Sequence, residues 1–457
     1  MERVIVSDNA TASQAAPGSR LPDLTKQAIF TMTFGFFGVN MAFSLQSANM
    51  SRIAQPLGAD PNQLGFFFVF PPLMGMVVQP ILGRMSDKTW MGRFGRRMPY
   101  LLIGTPLAAI VTFLLPFSGS FGFGYGSLAA LIYMATAVCL MDVFSNIAMA
   151  PFRMVLGDTV NDKQKNFAFA CQQIFAYAGG ILAALLPYVL TQLGVPNTAE
   201  KGVVPQSVIW SCMISAVLLV ISGLFTALRT KEYDPETYAR YHGVDLRAKA
   251  EAENVGTLTL FKNAPRAFWE LSVVQFFSWI GIMYTWTYAT GAMAKNIWGT
   301  TDPTSAGYQD AGNWYSVMTA VLSISALIFG ILYSRSDAGH RKHWYAFGLF
   351  CDVVAIVAVA TTQNKWVALA AFVLYGFGNF AINTMPFAIL TSSLKGKNVG
   401  SYLGLFNIAV CLPQIIGSVA GFFLVPAFGG NLSYMMLFGA VFMLIGAVSV
   451  YTVHEGR

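Results

Sequence analysis

What most constrains this chain is the recurrence along its whole length of apolar stretches of about 20 residues, each long enough to cross the hydrocarbon core of a bilayer as a helix. Twelve are expected, near 27–50, 62–82, 99–118, 125–149, 167–193, 205–228, 267–294, 313–334, 344–361, 366–393, 400–425 and 431–453. Several exceed about 22 residues, which permits tilt or a kink. Composition agrees: 11% of the 457 residues are charged, where soluble domains carry about a quarter. The expected fold is an all-α membrane protein, multi-pass in the inner membrane of a bacterial cell and in contact with lipid. The polar start, 1–26, reads as a cytoplasmic tail rather than a signal peptide.

Orientation follows from the basic residues. With the N-terminus in the cytoplasm, outer loops hold only Arg52, Lys201, Lys295 and Lys365 of the 28 lysines and arginines. Inside loops attract the rest. Both termini are then cytoplasmic, and the net charge of +7 reflects topology rather than nucleic-acid binding. The longest loop, 229–266, holds seven cations and six acids, among them Glu232, Asp234, Arg247 and Glu251. Charge this dense cannot sit in lipid, so it predicts a cytoplasmic linker between two six-helix bundles, 27–228 and 267–457. Six plus six is the layout of parallel-repeat transporters, with the solute site between facing halves at the midplane. A trace of the repeat survives: Gly83-Arg84-Met85-Ser86-Asp87-Lys88 and the later Arg96-Arg97 echo Ser336-Asp337-Ala338-Gly339-His340-Arg341-Lys342.

Enzyme chemistry finds no footing. The five cysteines, Cys139, Cys171, Cys212, Cys351 and Cys411, fall in apolar segments with no CxxC or Cys/His cluster, so no disulfide framework, metal site or cofactor is expected. The Gly122–Gly126 stretch lacks the lysine of a phosphate cradle.

Span four carries the chemistry. Asp142 stands within Leu140-Met141-Asp142-Val143-Phe144-Ser145-Asn146. A carboxylate in a membrane helix costs several kcal/mol unless it faces a cavity or is neutralised. A carboxyl alternately dry and wet is therefore a natural proton carrier, and the competing reading is a packed acid bonded to a neighbour. Asn146 is one turn on, on the same face; its amide suits either a sugar hydroxyl or a helix–helix hydrogen bond. A sugar needs amides for hydroxyls and aromatic faces for its C–H surface. The interior offers Asn40, Gln46, Gln79, Gln172, Gln173, Trp279, Tyr284, Trp286, Asn379, Asn383, Asn407 and Gln414. With no cation in the central third of any span, this set points to a neutral polyhydroxy substrate. Asp87, with Lys88, Arg93, Arg96 and Arg97, reads either as a cytoplasmic latch against a helix N-terminus or as plain inside charge. Asp352, in span nine, reads as a second protonation site or a buried partner for an amide.

Gly83-x-x-x-Asp87 with a following Gly95-Arg96-Arg97 resembles the loop motif of the major facilitator superfamily. The run Arg93-Phe94-Gly95-Arg96-Arg97-Met98-Pro99 is similar to one branch, the proton-coupled sucrose and maltose symporters that include the plant sucrose carriers. So are Leu45-Gln46, Val78-Gln79-Pro80, Gln275-Phe276-Phe277-Ser278-Trp279, Asp310-Ala311-Gly312-Asn313-Trp314, Met385-Pro386-Phe387-Ala388 and Leu412-Pro413-Gln414. The resemblance implies the major facilitator fold, alternating access and proton-coupled symport of a disaccharide or α-glucoside, sucrose or maltose. It implies that Asp142 is the proton-coupling group. It also implies that Arg153 and Asp158, in Pro151-Phe152-Arg153-Met154-Val155-Leu156-Gly157-Asp158, serve the inner gate with Asp87, Arg96 and Arg97. Phe43 departs from the tryptophan of plant members, changing one face of the expected pocket. A monomer is expected. The alternatives are a passive facilitator or exporter on the same fold, a scaffold without flux, and sodium in place of the proton.

Overall fold

The structure, a computed structural model, describes residues 21–54, 70–118, 127–196, 204–242, 257–301, 305–394 and 398–454. The tail to residue 20, the start of span two at 62–69, Gly122–Gly126, Lys201 and linker residues 243–256 lie outside the described residues, as do the side chains of Arg52 and Asn313.

Every described regular element is helical: α1 Lys26–Ala54, α2 Phe70–Lys88, α3 Met98–Leu114, α4 Leu128–Thr159, α5 Lys165–Gln192, α6 Gln206–Arg229, the short α7 Pro235–His242 and α8 Thr257–Lys262, then α9 Arg266–Trp298, α10 Ala306–Tyr333, α11 Arg341–Thr361, α12 Lys365–Leu394, α13 Val399–Ala427 and α14 Leu432–Ser449. A chain this apolar cannot leave backbone groups open to lipid, and a helix closes them within one segment. Of these, 10 helices are long and apolar enough to cross a membrane: α1, α3 to α6 and α10 to α14. The exceptions at expected span positions are α2, which ends in Arg84, Asp87 and Lys88, and α9, whose charge-free middle is diluted by Gln275, Ser278, Tyr284, Thr285, Trp286, Thr287 and Tyr288. Side chains on the helix exteriors suit hydrocarbon: Ile81, Ile103, Ile110, Val217, Ile221, Val354 and Val441 are all more than half exposed.

The largest difference from the expected boundaries is α4. It runs 32 residues to Thr159, past the expected end at 149, and carries Pro151 inside. At 1.5 Å per residue it is about 48 Å long, well beyond a hydrocarbon core of about 30 Å. A helix of that length cannot lie wholly in the hydrocarbon, and Arg153 and Asp158 stand in its final turns.

Two compact units emerge. The first comprises Met1–Gln164, Ile174–Phe261 and Lys395–Leu405; the second comprises Lys165–Gln173, Lys262–Leu394 and Phe406–Arg457. In the first, α3 packs on α4 and α6, α1 on α6, and α2 on α4. In the second, α11 packs on α12 and α14, α9 on α14, and α10 on α12. Near the chain end, Glu270 accepts from Arg266 Nε at 2.6 Å and from the His454 backbone at 2.7 Å, fastening the last residues to the start of α9.

Candidate functional site

Asp142 is fully buried in the first unit. Gln46 Nε2, on α1, lies 3.4 Å from its Oδ1. Its Oδ2 has no hydrogen-bond partner among the described residues, nor does Gln46 Oε1. No cation pairs with it among those residues. One turn on, Asn146 Nδ2 donates to the Asp142 carbonyl at 2.8 Å, while Gln79 Nε2 on α2 donates to Asn146 Oδ1 at 2.7 Å. Three helices thus meet at Asp142: Gln46 reaches its carboxyl, while the Gln79–Asn146 pair ends on its backbone carbonyl, and one acid oxygen and one amide oxygen stay open among the described residues. A proton on Oδ2 would remove the charge, and a ligand hydroxyl could donate to Gln46 Oε1. Asn40 is turned to its own helix, donating to Phe36 O at 3.0 Å, and Phe43 is half-buried on the same helix.

The second unit holds the remaining expected residues. Trp279 is buried with Nε1 unpartnered among the described residues, edge-on to Trp286 with centroids 5.9 Å apart, and Trp286 is 44% exposed. Tyr284 packs in an apolar cluster with Ile280 and Met435, which makes it a core residue more than a free aromatic face. Three amides donate within their own helices: Asn383 to Asn379 O, Gln414 to Val410 O and Asn407 to Cys411 Sγ. Gln172 and Asn379 are buried, and Gln173 is half-buried. Two neighbours in the same run that were not named as sugar contacts, Gln275 Oε1 and Ser278 Oγ, are buried without hydrogen-bond partners among the described residues.

The charged cluster at the other end of the first unit is more extensive. Arg97, fully buried, donates from Nη2 to Asp87 Oδ1 at 2.6 Å, from Nε to Asp158 Oδ2 at 2.9 Å, and from Nη1 to Ser86 Oγ. Arg96 Nη2 lies 2.8 Å from Asp158 Oδ2, an ion pair too bent to count as a hydrogen bond, and its guanidinium stacks on Tyr238 at 3.9 Å. Asp87 also accepts from the first turn of α13: Gly400 N at 3.2 Å, Ser401 N and Ser401 Oγ each at 2.7 Å. A carboxylate there satisfies orphan amides and the positive end of the helix dipole. Burial, the largest single influence, lowers both guanidinium groups, but Asp158 and Asp87 together, with Tyr238 at Arg96, outweigh it, and both sit above the ordinary arginine value. Arg153 is half-buried on α4.

Sequence reasoning missed the linker's share. Glu232 accepts the backbone amides of Arg96, Arg97 and Met98 at 3.2, 2.8 and 3.0 Å, capping the start of α3. Tyr238 donates to Asp158 Oδ1 at 3.3 Å, and His242 meets the Asp158 carbonyl at 3.0 Å. Nothing in a run of mixed charge marks which acid folds back. It also missed Asn166 in the second unit. Asn166 donates to Ser336 O at 3.0 Å and accepts from Tyr333 at 3.2 Å and from Arg341, while Asp337 stays exposed. Carrying the repeat through to the start of α5 would have found it.

The family model described as Major Facilitator Superfamily matches residues 32–418. The chain belongs to that superfamily. A facilitator-superfamily member with many apolar helices is a multi-pass membrane transporter, not an enzyme. Among curated relatives, the sucrose transport protein SUC4 of Arabidopsis thaliana is 21% identical, covering 93% of this chain and 89% of its own. The sucrose transport protein SUT1 of Oryza sativa subsp. japonica is 24% identical over 90% and 85%. Among solved structures, the proton:xylose symporter XylE aligns at TM-score 0.69 with 14% identity, covering 94% of this chain and 96% of that one. That likeness establishes the major facilitator fold.

Proposed function

We propose that this chain is a proton-coupled symporter of a neutral disaccharide or α-glucoside, sucrose or maltose, working by alternating access with Asp142 as the proton carrier. The observation that carries the reading is the buried Asp142 carboxyl, bonded to Gln46, with one open oxygen and no cation paired with it among the described residues, and with the Asn146–Gln79 pair one turn away. A bare carboxylate there resists dehydration; taking a proton with the sugar removes that penalty and permits the site to close. The sugar-transport names of its relatives support the cargo class, and a proton:sugar symporter of the same fold supports the coupling ion. Twelve spans with both termini inside, as a monomer, complete the reading. Asp87, Arg96, Arg97 and Asp158, with Arg153 alongside, form the cytoplasmic gate. Their ties must loosen whenever the start of α13 moves.

The test is uptake of labelled sucrose and maltose into proteoliposomes with and without an imposed pH gradient. Wild-type protein should concentrate sugar only with the outside acidic, and Asp142→Asn should equilibrate sugar without concentrating it. Uphill accumulation by Asp142→Asn in step with outside acidity would sink the assignment. Equal flux with and without a gradient in wild type would make it a facilitator.

A further inference from the structure

Asp352 stands near the middle of α11, in the second unit, with no solvent-exposed surface. Neither carboxyl oxygen has a hydrogen-bond partner among the described residues. Three long helices pack on α11: α12, α14 and α9. From α12 comes Gly378, where an added Cβ would collide with the Asp352 carboxyl, so the acid lies directly on bare helix backbone. The one charged residue of α12 is Lys365, at its first position, and α14 carries none. The charges of α9, Arg266, Glu270 and Lys295, sit near its ends. Within α11 the cations Arg341 and Lys342 open the first turn, with His343 beside them, and Arg341 is engaged with Asn166 and Ser392. What faces the carboxyl is neutral: Cys351 beside it and the buried phenol of Tyr345 two turns back, itself without a hydrogen bond among the described residues.

A carboxylate in that position would have no exposed surface, and no cation or donor among the described residues. Burying a bare charge so is far costlier than burying the neutral acid. The contrast with Asp142 is physical. Asp142 has an amide from another helix at its carboxyl, whereas Asp352 is wedged against a glycine with nothing to solvate a charge.

We propose that Asp352 is a second proton-binding site, one that keeps its proton throughout the transport cycle as a neutral carboxylic acid. The inference rests on the symport reading only for its consequence: Asp142 carries the travelling proton, Asp352 a resident one, and one proton moves per sugar. Gly378 is the residue that makes room for the acid.

Infrared absorption spectroscopy of the purified full chain tests the resident proton without any transport. Wild-type protein should show a protonated-carboxyl C=O band that persists from acid to mildly alkaline pH. The band should be unmoved by sucrose or maltose, absent in Asp352→Asn and present in Asp142→Asn. A band that titrates across neutral pH, or that Asp352→Asn leaves in place, overturns the proposal. In proteoliposomes the proton-to-sugar ratio should be one in wild type and in Asp352→Asn; a fall from two to one in the variant overturns it equally. If Asp352→Asn does not fold, the double variant Asp142→Asn with Glu232→Gln decides the question: a band persisting to mildly alkaline pH supports the resident proton, and its absence overturns the proposal. Failure of the symport reading would show as absent gradient-driven uptake with the band intact.

Discussion

Glu232 shows how a single side chain can join a linker to a membrane helix. Its three accepted amides lead into α3, the last being that of Met98, and they follow Gly95, which at φ 76 turns the chain in a conformation costly for other residues. A Cβ at Gly95 would lie 2.7 Å from the Glu232 carboxyl. Burial lifts this carboxyl above the ordinary glutamate range, opposed by Arg96 and the amides of Met98 and Arg97. The native state therefore holds the proton more tightly than the unfolded chain. The stabilising contribution is complete below the ordinary glutamate value and is lost as pH rises through the raised one. Wild-type protein should accordingly gain thermal stability over Glu232→Gln as pH is lowered from neutral, by about 2 °C in melting temperature. Parallel pH profiles for the two proteins would refute this. The sequence showed Glu232 only as one acid among six in a mixed loop, since which acid folds back is a matter of distance in space. Asp142, by contrast, stood out in the sequence because a lone acid in an apolar helix is costly wherever the helix packs.

Among elements, the start of α13 is held twice, by charge and by close packing. Asp87 caps it, and Gly404 lies so near α2 that an added Cβ would sit 2.8 Å from Pro80 Cα and 2.9 Å from the Gln79 carbonyl carbon. Both neighbours are backbone and cannot swing aside, so Gly404→Ala should destabilise by about 1–3 kcal/mol. A denaturation midpoint unchanged by that substitution would show the helices free to separate. Arg97→Met removes the cation shared by Asp87 and Asp158, leaving Asp87 without its guanidinium partner in the interior. The expected cost is about 3–5 kcal/mol, read as a large loss of folded protein at a temperature the wild type survives. Helix positions were legible from hydropathy alone, within a few residues at most ends. The end of α4 was not, because Pro151 and Arg153 look like a terminus in sequence, whereas in space they continue a helix that outruns the bilayer.

On the scale of the whole molecule, each compact unit includes a short piece from elsewhere in the chain. The first takes Lys395–Leu405, held by Asp87, and the second takes Lys165–Gln173, held through Asn166. One fastening sets the Asp87 carboxylate against backbone amides and a hydroxyl; the other sets the Arg341 guanidinium against a neutral amide. Because each lies within its own unit, loosening one should leave the other intact. Asp87→Ala should speed amide exchange at 399–403 at least about tenfold, equivalent to about 1.4 kcal/mol, with 165–169 unchanged, and Asn166→Ala should do the reverse. Exchange rising at both places in either variant would refute their independence. The amino-acid sequence by itself determined that this is a helical membrane protein with an acid at the heart of span four, because hydrocarbon penalises open backbone and lone charge regardless of arrangement. Only the tertiary structure decided which groups meet that acid, which linker carboxylate caps α3, and that Asn166 rather than Asp337 fastens the second unit. Those pairings join residues tens to hundreds of positions apart, and hydropathy or spacing along one helix carries no record of them.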